Sequence, residues 1–469
     1  MSRRALVRKI LTALGSGPKI SCQHHIGETL CGHQVKHVSA DANSNYEYAF
    51  EMICSTLRFG VGVTQEIGQD LAHMAAKKTC VMTDENVSNS PAFKAVTDSL
   101  TRNKQPFDVF DKIRIEPTDH SFLEAIEFAR KGGFDTFVAV GGGSTMDTTK
   151  AAALLAANKD NDLWDFTTQP FGKSLVPKTP MFPLIAVPTT AGTGSETTGV
   201  SIFDIEGKGV KTGIRLRAIK PTLAIVDPLN VHSMPRNVAV YSGFDVMCHA
   251  LESYTAKPFT KRPRPPNPAV RPVYQGSNPI SDVWASKALD IMKHYFKRSV
   301  DDTSDLEARS NMLLAASFAG VGFGNAGVHL CHGLSYPISG QVRTYTSPDY
   351  SDQIPLVPHG LSVVTTACAD FRFTSIADPQ RHMDAANMLG TEVSGYKLDD
   401  AGEVLSDSVK GFMQHFGVAN GLKELGFGSS DLEPLTDAAL NSLSALQLSP
   451  REHTREALYG IYEDSMTVY

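Results

Sequence analysis

The chain has 469 residues, with 44 Lys and Arg against 50 Asp and Glu; the net charge of −6 excludes a nucleic-acid surface as its main business. Apolar residues make up 42% and charged residues 20%, which excludes wholesale disorder and supplies a core for about two or three domains. Seven cysteines, an odd number with no C-x-x-C pair, exclude a disulfide framework and suit a reducing compartment.

The first 27 residues hold Arg3, Arg4, Arg8, Lys9 and Lys19, with no acid before Glu28. Arg3, Arg4 and Arg8 alternate with Leu6, Val7, Ile10, Leu11 and Leu14, the pattern of a short basic amphipathic helix. Basic and acid-poor is the profile of a mitochondrial transit peptide. We therefore expect residues 1–45 to be a transit peptide and leader, with the mature protein in the mitochondrial matrix; a plain basic tail is the alternative.

From Tyr46 to Pro228 short β-branched runs alternate with helical stretches, which predicts an α/β domain built on a parallel sheet. Thr79–Thr83, Phe137–Val140, Leu184–Val187 and Leu223–Val226 read as buried strands, and Ser121–Arg130 and Ser144–Asn158 as helices. Phe137–Val140 runs into Gly141, Gly142, Gly143, Ser144 and Asp147, then an alanine-rich helix. Glycines at a strand end admit a phosphate to the backbone, and the next helix points free N–H groups at it. The G-x-G-x-x-G fingerprint is not met, since Met146 takes the third glycine's place, and a capping box of Ser144 with Asp147 would also account for both residues. A second strand leads into Thr189, Thr190, Gly192, Thr193, Gly194 and Ser195, a loop of hydroxyl and backbone donors. A third ends in Thr83-Asp84, where an acid is placed for ribose hydroxyls. Three such turns on strand ends point to a dinucleotide.

Beyond Pro228 strand-like runs become scarce. Asn237–Tyr254, Ser281–Val300, Asp305–Phe318, His382–Leu389 and Asp399–Phe416 suit helices, so residues 229–469 form an all-α domain. The proline-rich, basic segment Lys257–Pro279 reads as a long extended loop, either a solvated insertion or a positive rim beside an active site. Ser310–Val342 lacks Asp, Glu, Lys and Arg, and its glycine and histidine content suits buried core around a site better than a membrane span. Asp245 and His249, four apart in a helical run, project from one face. With His332 and His359, each followed by glycine, they make three imidazoles and a carboxylate, a set for Fe(II) or Zn(II). His329 is a fourth imidazole or a proton carrier, and Cys248 and Cys331 read as core packing.

These motifs together resemble the iron-containing (group III) alcohol dehydrogenase family, most closely its mitochondrial hydroxyacid-oxoacid transhydrogenase branch. They are Thr83-Asp84, GGGSTMDTTK at 141–150, PTTAGTGSETT at 188–198, GFDVMCHALESY at 243–254, the His332 segment and PHG at 358–360. The resemblance implies an α/β NAD-binding domain and an all-α metal-binding domain with the cleft between them. It implies that Asp245, His249, His332 and His359 hold the metal. Gly141, Gly142, Gly143, Ser144, Asp147, Thr189, Thr190 and Ser195 would line the NAD(H) site, with Asp84 on the adenosine ribose. Many relatives carry a histidine four residues after the position of His332; here it is Tyr336, which leaves Tyr336 or His329 as proton relay. The implied reaction oxidises 4-hydroxybutyrate to succinate semialdehyde and reduces 2-oxoglutarate to D-2-hydroxyglutarate through a tightly bound nicotinamide. The alternative is an NAD-dependent alcohol dehydrogenase that releases NADH. Small hydroxyacids and oxoacids are the expected partners, with no nucleic acid or membrane and with self-association left open. Their carboxylates need a cation, for which Arg217, Lys220 and the basic residues of the 257–271 loop are the candidates.

Overall fold

The computed structural model describes residues 45–350, 355–440 and 443–469, so the predicted amphipathic helix and leader lie outside the described residues. Six strands, β1 (Thr56–Phe59), β2 (Thr79–Met82), β3 (Phe107–Phe110), β4 (Thr136–Gly141), β5 (Leu184–Pro188) and β8 (Leu223–Val226), form one parallel sheet in the order β1-β8-β5-β4-β2-β3. Helices cover both faces: α1 (Ile67–His73) and α2 (Pro91–Arg102) one, α3 (Asp119–Gly132) and α4 (Gly143–Ala157) the other. The period of two decides which residue faces which layer. Val81, Val138 and Ile185 share a core with Ile67 and Leu100. Their neighbours Cys80, Phe137 and Leu184 pack with Phe122 and Leu154. Every residue of β2, β4, β5 and β8 is buried, which is why these strands read as unbroken apolar runs. The chain steps outward from β2 to β3, then returns to place β4 on β2's other side. The crevice at the carboxyl ends of β2 and β4 is thus a topological switch point, the usual ligand position in such sheets.

Between β5 and β8 stands an unanticipated antiparallel hairpin, β6 (Val200–Ile205) and β7 (Val210–Arg215), turned by Gly207 and Gly209 at positive φ. A bridge between Thr118 and Asp204 docks it on the loop after β3. At its tip Gly209 touches the backbone of Gly340 in the helical half.

From Arg236 onward the described residues contain helices and no further strand of the sheet. The central helix α5 (Arg236–Thr255) is buried continuously from Gly243 to Thr255. Around it pack α6 (Pro279–Asp301), α7 (Leu306–Ala326), α8 (Leu330–Gly340) and α9 (His359–Ser375), sharing one large apolar core that includes Cys248 and Cys331. No single helix among the described residues is long and apolar enough to cross a membrane; α7 and α8, which span the charge-free stretch, meet at 102° and are largely buried.

Two expectations are corrected. Ser144 and Asp147 form no capping box: Gly142 is the N-cap of α4, without a side-chain cap, and Asp147 turns instead to the β6 segment. The basic residues of the 257–279 loop do not line the described cleft, although the loop's Tyr274 does. Arg271 binds Glu47 at 3.0 Å and Glu51 at 2.9 Å, and Arg264 lies over the Tyr48 ring. Arg217 pairs with Glu51 and with the Arg271 carbonyl, while Lys220 donates to the Ile53 carbonyl. The loop and the first described residues thus clamp one another.

Candidate active site

The nucleotide side is built from close backbone approaches. Helix α4 starts directly at the end of β4, so little room is left for a side chain at its first glycines. A Cβ on Gly141 would lie 2.3 Å from Thr145 Oγ1, and one on Gly143 would lie 2.6 Å from Thr193 Cγ2. Gly142, Gly143, Ser144, Thr189, Thr190 and Asp84 line a cavity of about 460 Å³, within the usual range for a small-molecule site. The Asp84 carboxylate accepts from the amides of Asn86 and Val87 at 3.0 Å, which fixes it at the mouth of the crevice.

Asp147 and Ser195 join the two turns through a buried lysine. Asp147 accepts from Ser195 Oγ at 2.6 Å and from the Ile202 amide at 2.8 Å. Lys150, fully buried, donates to Ser195 Oγ at 2.6 Å, to Thr198 Oγ1 at 3.2 Å and to the Val200 carbonyl at 2.7 Å. Burial pushes the Asp147 carboxyl up and the Lys150 ammonium down, so the hydroxyls and carbonyl are what make this buried pair tolerable. Lys150 went unread although it closes the GGGSTMDTTK motif, one helical turn from Asp147.

The helical side is built from ionisable groups on three helices. On α5 the spacing 245, 249, 252 places Asp245, His249 and Glu252 on one stripe. Helix α8 supplies His332 and α9 begins with His359. Asp245 Oδ1 lies 3.3 Å from His332 Nε2, 3.6 Å from His249 Nδ1 and 3.7 Å from His359 Nε2. One donor atom each from Asp245, His249 and His332 fall within 4.8 Å of one another. The approach of α9 depends on Gly360, where a Cβ would meet the Tyr241 carbonyl oxygen at 1.8 Å.

This donor set fits a divalent ion. His249 Nδ1 is buried with no hydrogen-bond partner, and a buried polar atom without a partner needs an explanation. Burial pushes the His249 pKa down to about 3 and also lowers that of His359, which keeps both imidazoles neutral, the form that ligates. Burial alone would raise the Asp245 carboxyl, yet the neighbouring imidazoles hold it well below the carboxylate range. Burial lowers His332, but the negative charges of Glu252 and Asp245 outweigh it and raise its pKa. A cation in the group would take the place of that proton.

Glu252, also unread, stands behind His332. Fully buried, it binds His332 Nδ1 and accepts from the His329 amide at 2.9 Å. A carboxylate on the far nitrogen fixes a ligating imidazole's tautomer and orientation. The signal was present in the sequence, three residues after His249 on the same stripe. His329 is not brought to the cleft: wholly buried, its Nε2 lies 2.9 Å from Thr255 Oγ1 and it lines neither cavity. Tyr336 does line the cleft, its ring stacked 6.5 Å from that of His359.

Nucleotide and metal sides meet. A second cavity, lined by Asp147, Ser195, His249, His332 and Tyr336, adjoins the first and shares Glu116, Ser144, Asp245 and His359 with it. A hydride acceptor lying on the glycine turns would therefore face whatever the histidines hold.

Comparison with known proteins agrees with this geometry. Residues 54–228 match the model of the family described as iron-containing alcohol dehydrogenase, and residues 273–466 that of its C-terminal domain. The chain is 55% identical over 468 residues to the mitochondrial hydroxyacid-oxoacid transhydrogenase of Caenorhabditis elegans, covering 99% of both chains. A crystal structure of 1,3-propanediol oxidoreductase shares the fold, with a TM-score of 0.78, 24% identity, and coverage of 89% of this chain and 100% of that one. Sulfoacetaldehyde reductase from Bifidobacterium kashiwanohense, solved in complex with NAD+, gives a TM-score of 0.72 at 26% identity, covering 89% of this chain and 98% of that one.

Proposed function

We propose, for a chain that belongs to the iron-containing alcohol dehydrogenase family, that it is a mitochondrial oxidoreductase transferring hydride from a hydroxyacid to an oxoacid. In this reading 4-hydroxybutyrate becomes succinate semialdehyde, and 2-oxoglutarate becomes D-2-hydroxyglutarate. The observation that carries it is the pair of adjoining cavities in which the glycine and hydroxyl turns face Asp245, His249, His332 and His359, in a chain 55% identical to a transhydrogenase over 99% of its length.

Residues 46–228 and 229–469 then act as NAD-binding and metal-binding domains. Gly141, Gly142, Gly143, Ser144, Thr189 and Thr190 hold the NAD(H) pyrophosphate by backbone and hydroxyl donors, Asp84 the ribose, and Asp147 and Ser195 keep the two turns together. Asp245, His249, His332 and His359 hold Fe(II) or Zn(II). When bound, the metal makes the substrate hydroxyl easier to deprotonate and polarises the oxoacid carbonyl, and NAD(H) carries the hydride between the two half-reactions. The chain itself supplies placement, worth roughly 7–11 kcal/mol in well-oriented systems. Tyr336, whose ring lies beside that of His359 in the cleft, is the proton relay in this reading.

The test supplies metal-loaded protein with 4-hydroxybutyrate and 2-oxoglutarate but no added nicotinamide, and follows 2-hydroxyglutarate by mass spectrometry. Many turnovers per protein are expected, because the cofactor stays bound. No product until NAD is added, followed by free NADH, would identify an alcohol dehydrogenase that releases its cofactor each cycle.

A further inference from the structure

The reaction proposed above needs a cation for substrate carboxylates, and none of the candidates drawn from the sequence lines the cleft. Arg217 and Arg271 bind Glu51 and Glu47, and Lys220 binds a backbone carbonyl. Among the described residues the two adjoining cavities are lined by one lysine, Lys211, and by no arginine. Lys211 shares its cavity with Asp245, His249, His332 and His359.

The hairpin explains how a lysine comes to be there. Lys211 on β7 stands opposite Asp204 on β6, and the docking of Thr118 against Asp204 brings Glu116 to the same point. Lys211 Nζ donates to Glu116 and, at 3.0 Å, to Asp204 Oδ2. Its side chain is 4% exposed, so the ammonium cannot turn away into bulk water. An ammonium has three hydrogens, and these partners use two of them. The remaining hydrogen belongs to a group that lines the substrate cavity. Glu116, Asp147 and Asp245 also border that cavity, so away from the histidines an anion meets negative charge unless Lys211 receives it.

We propose that Lys211 is the specificity-determining residue that receives the carboxylate of hydroxyacid and oxoacid substrates, held on a fixed bearing by Glu116 and Asp204. The inference rests on the transhydrogenase reading and names the group that makes it selective for acids. Despite burial, the two carboxylates raise the Lys211 pKa, so the charge is present throughout the physiological range.

The test compares kcat/KM for 4-hydroxybutyrate with that for butan-1-ol in the full-length, metal-loaded protein. Lys211→Met should lower the acid-to-alcohol ratio by about tenfold to a hundredfold, mainly through KM for the acid, as expected for losing a charged hydrogen bond. Lys211→Arg should keep most of the ratio. An unchanged ratio in a folded Lys211→Met overturns the proposal. If that variant does not fold by circular dichroism, Lys211→Gln decides: its amide can still donate to Glu116 and Asp204 but carries no charge, so the ratio should again fall about tenfold or more, and no fall overturns the proposal. A wild-type protein active on butan-1-ol but inert toward 4-hydroxybutyrate would instead overturn the transhydrogenase reading, a result no variant ratio can imitate.

Discussion

The two sides of the cleft are built on opposite principles. The sheet side excludes side chains, so that a ligand can meet backbone N–H groups and hydroxyls at Gly142, Gly143 and Thr190. The helical side crowds ionisable side chains into a buried volume, where Asp245, three imidazoles and Glu252 satisfy or strain one another. Damage to the first should act by steric displacement and stay local. Damage to the second should act through charge and spread along the helices that carry it.

The sharpest break in this contrast should come from Asp245→Asn, which removes the carboxylate that three imidazoles surround. Its metal affinity, measured by chelator competition, should fall by more than the roughly 10–100-fold typical of losing an outer partner. Glu252→Gln is that outer-partner case. About 10–100-fold weaker metal binding with unaltered NAD affinity is expected, and normal metal retention would show that Glu252 does not orient His332. On the opposite side, Gly143→Ala places a Cβ 2.6 Å from Thr193 Cγ2. An overpacking cost of about 1–3 kcal/mol predicts NAD binding weaker by roughly tenfold, with full metal content by elemental analysis. Equal loss of metal and NAD would erase the proposed independence of the two sides.

The smallest effect concerns stability. Burial raises the Asp370 carboxyl from 3.8 to about 8, leaving it protonated in the fold at neutral pH. The unfolded chain releases that proton near pH 4, so this contribution is complete at low pH and declines as pH rises toward about 8. Asp370→Asn cannot titrate and should remove the slope. The variant's Tm relative to wild type should be higher at pH 8 than at pH 5, by several degrees. A pH-independent difference would mean that Asp370 is ionised in the fold.

How legible these features are depends on whether the chemistry is local. Strands β2, β4, β5 and β8 could be read because burial on both faces leaves unbroken apolar runs. The edge strands β1 and β3 could not, since TLRF and FDVF mix exposed and polar positions. The hairpin was not anticipated, because its strands carry Asp204, Lys211 and Arg215 and form no unbroken apolar run. Asp245 and His249 were legible because helix geometry fixes a four-residue spacing. Lys211 was not, because it meets Glu116 across 95 residues of chain, a pairing that only the docked hairpin creates.

The clamp formed by Glu47, Glu51, Arg217 and Arg271 has a consequence for any shortening of the chain. Arg271, its side chain 7% exposed, draws both of its ion-pair partners from residues 47 and 51. A chain shortened past Glu51 would leave an enclosed guanidinium without a counter-charge, at a cost in stability. These few residues, which belong to no helix or strand of either half, are thus tied into the fold by charge.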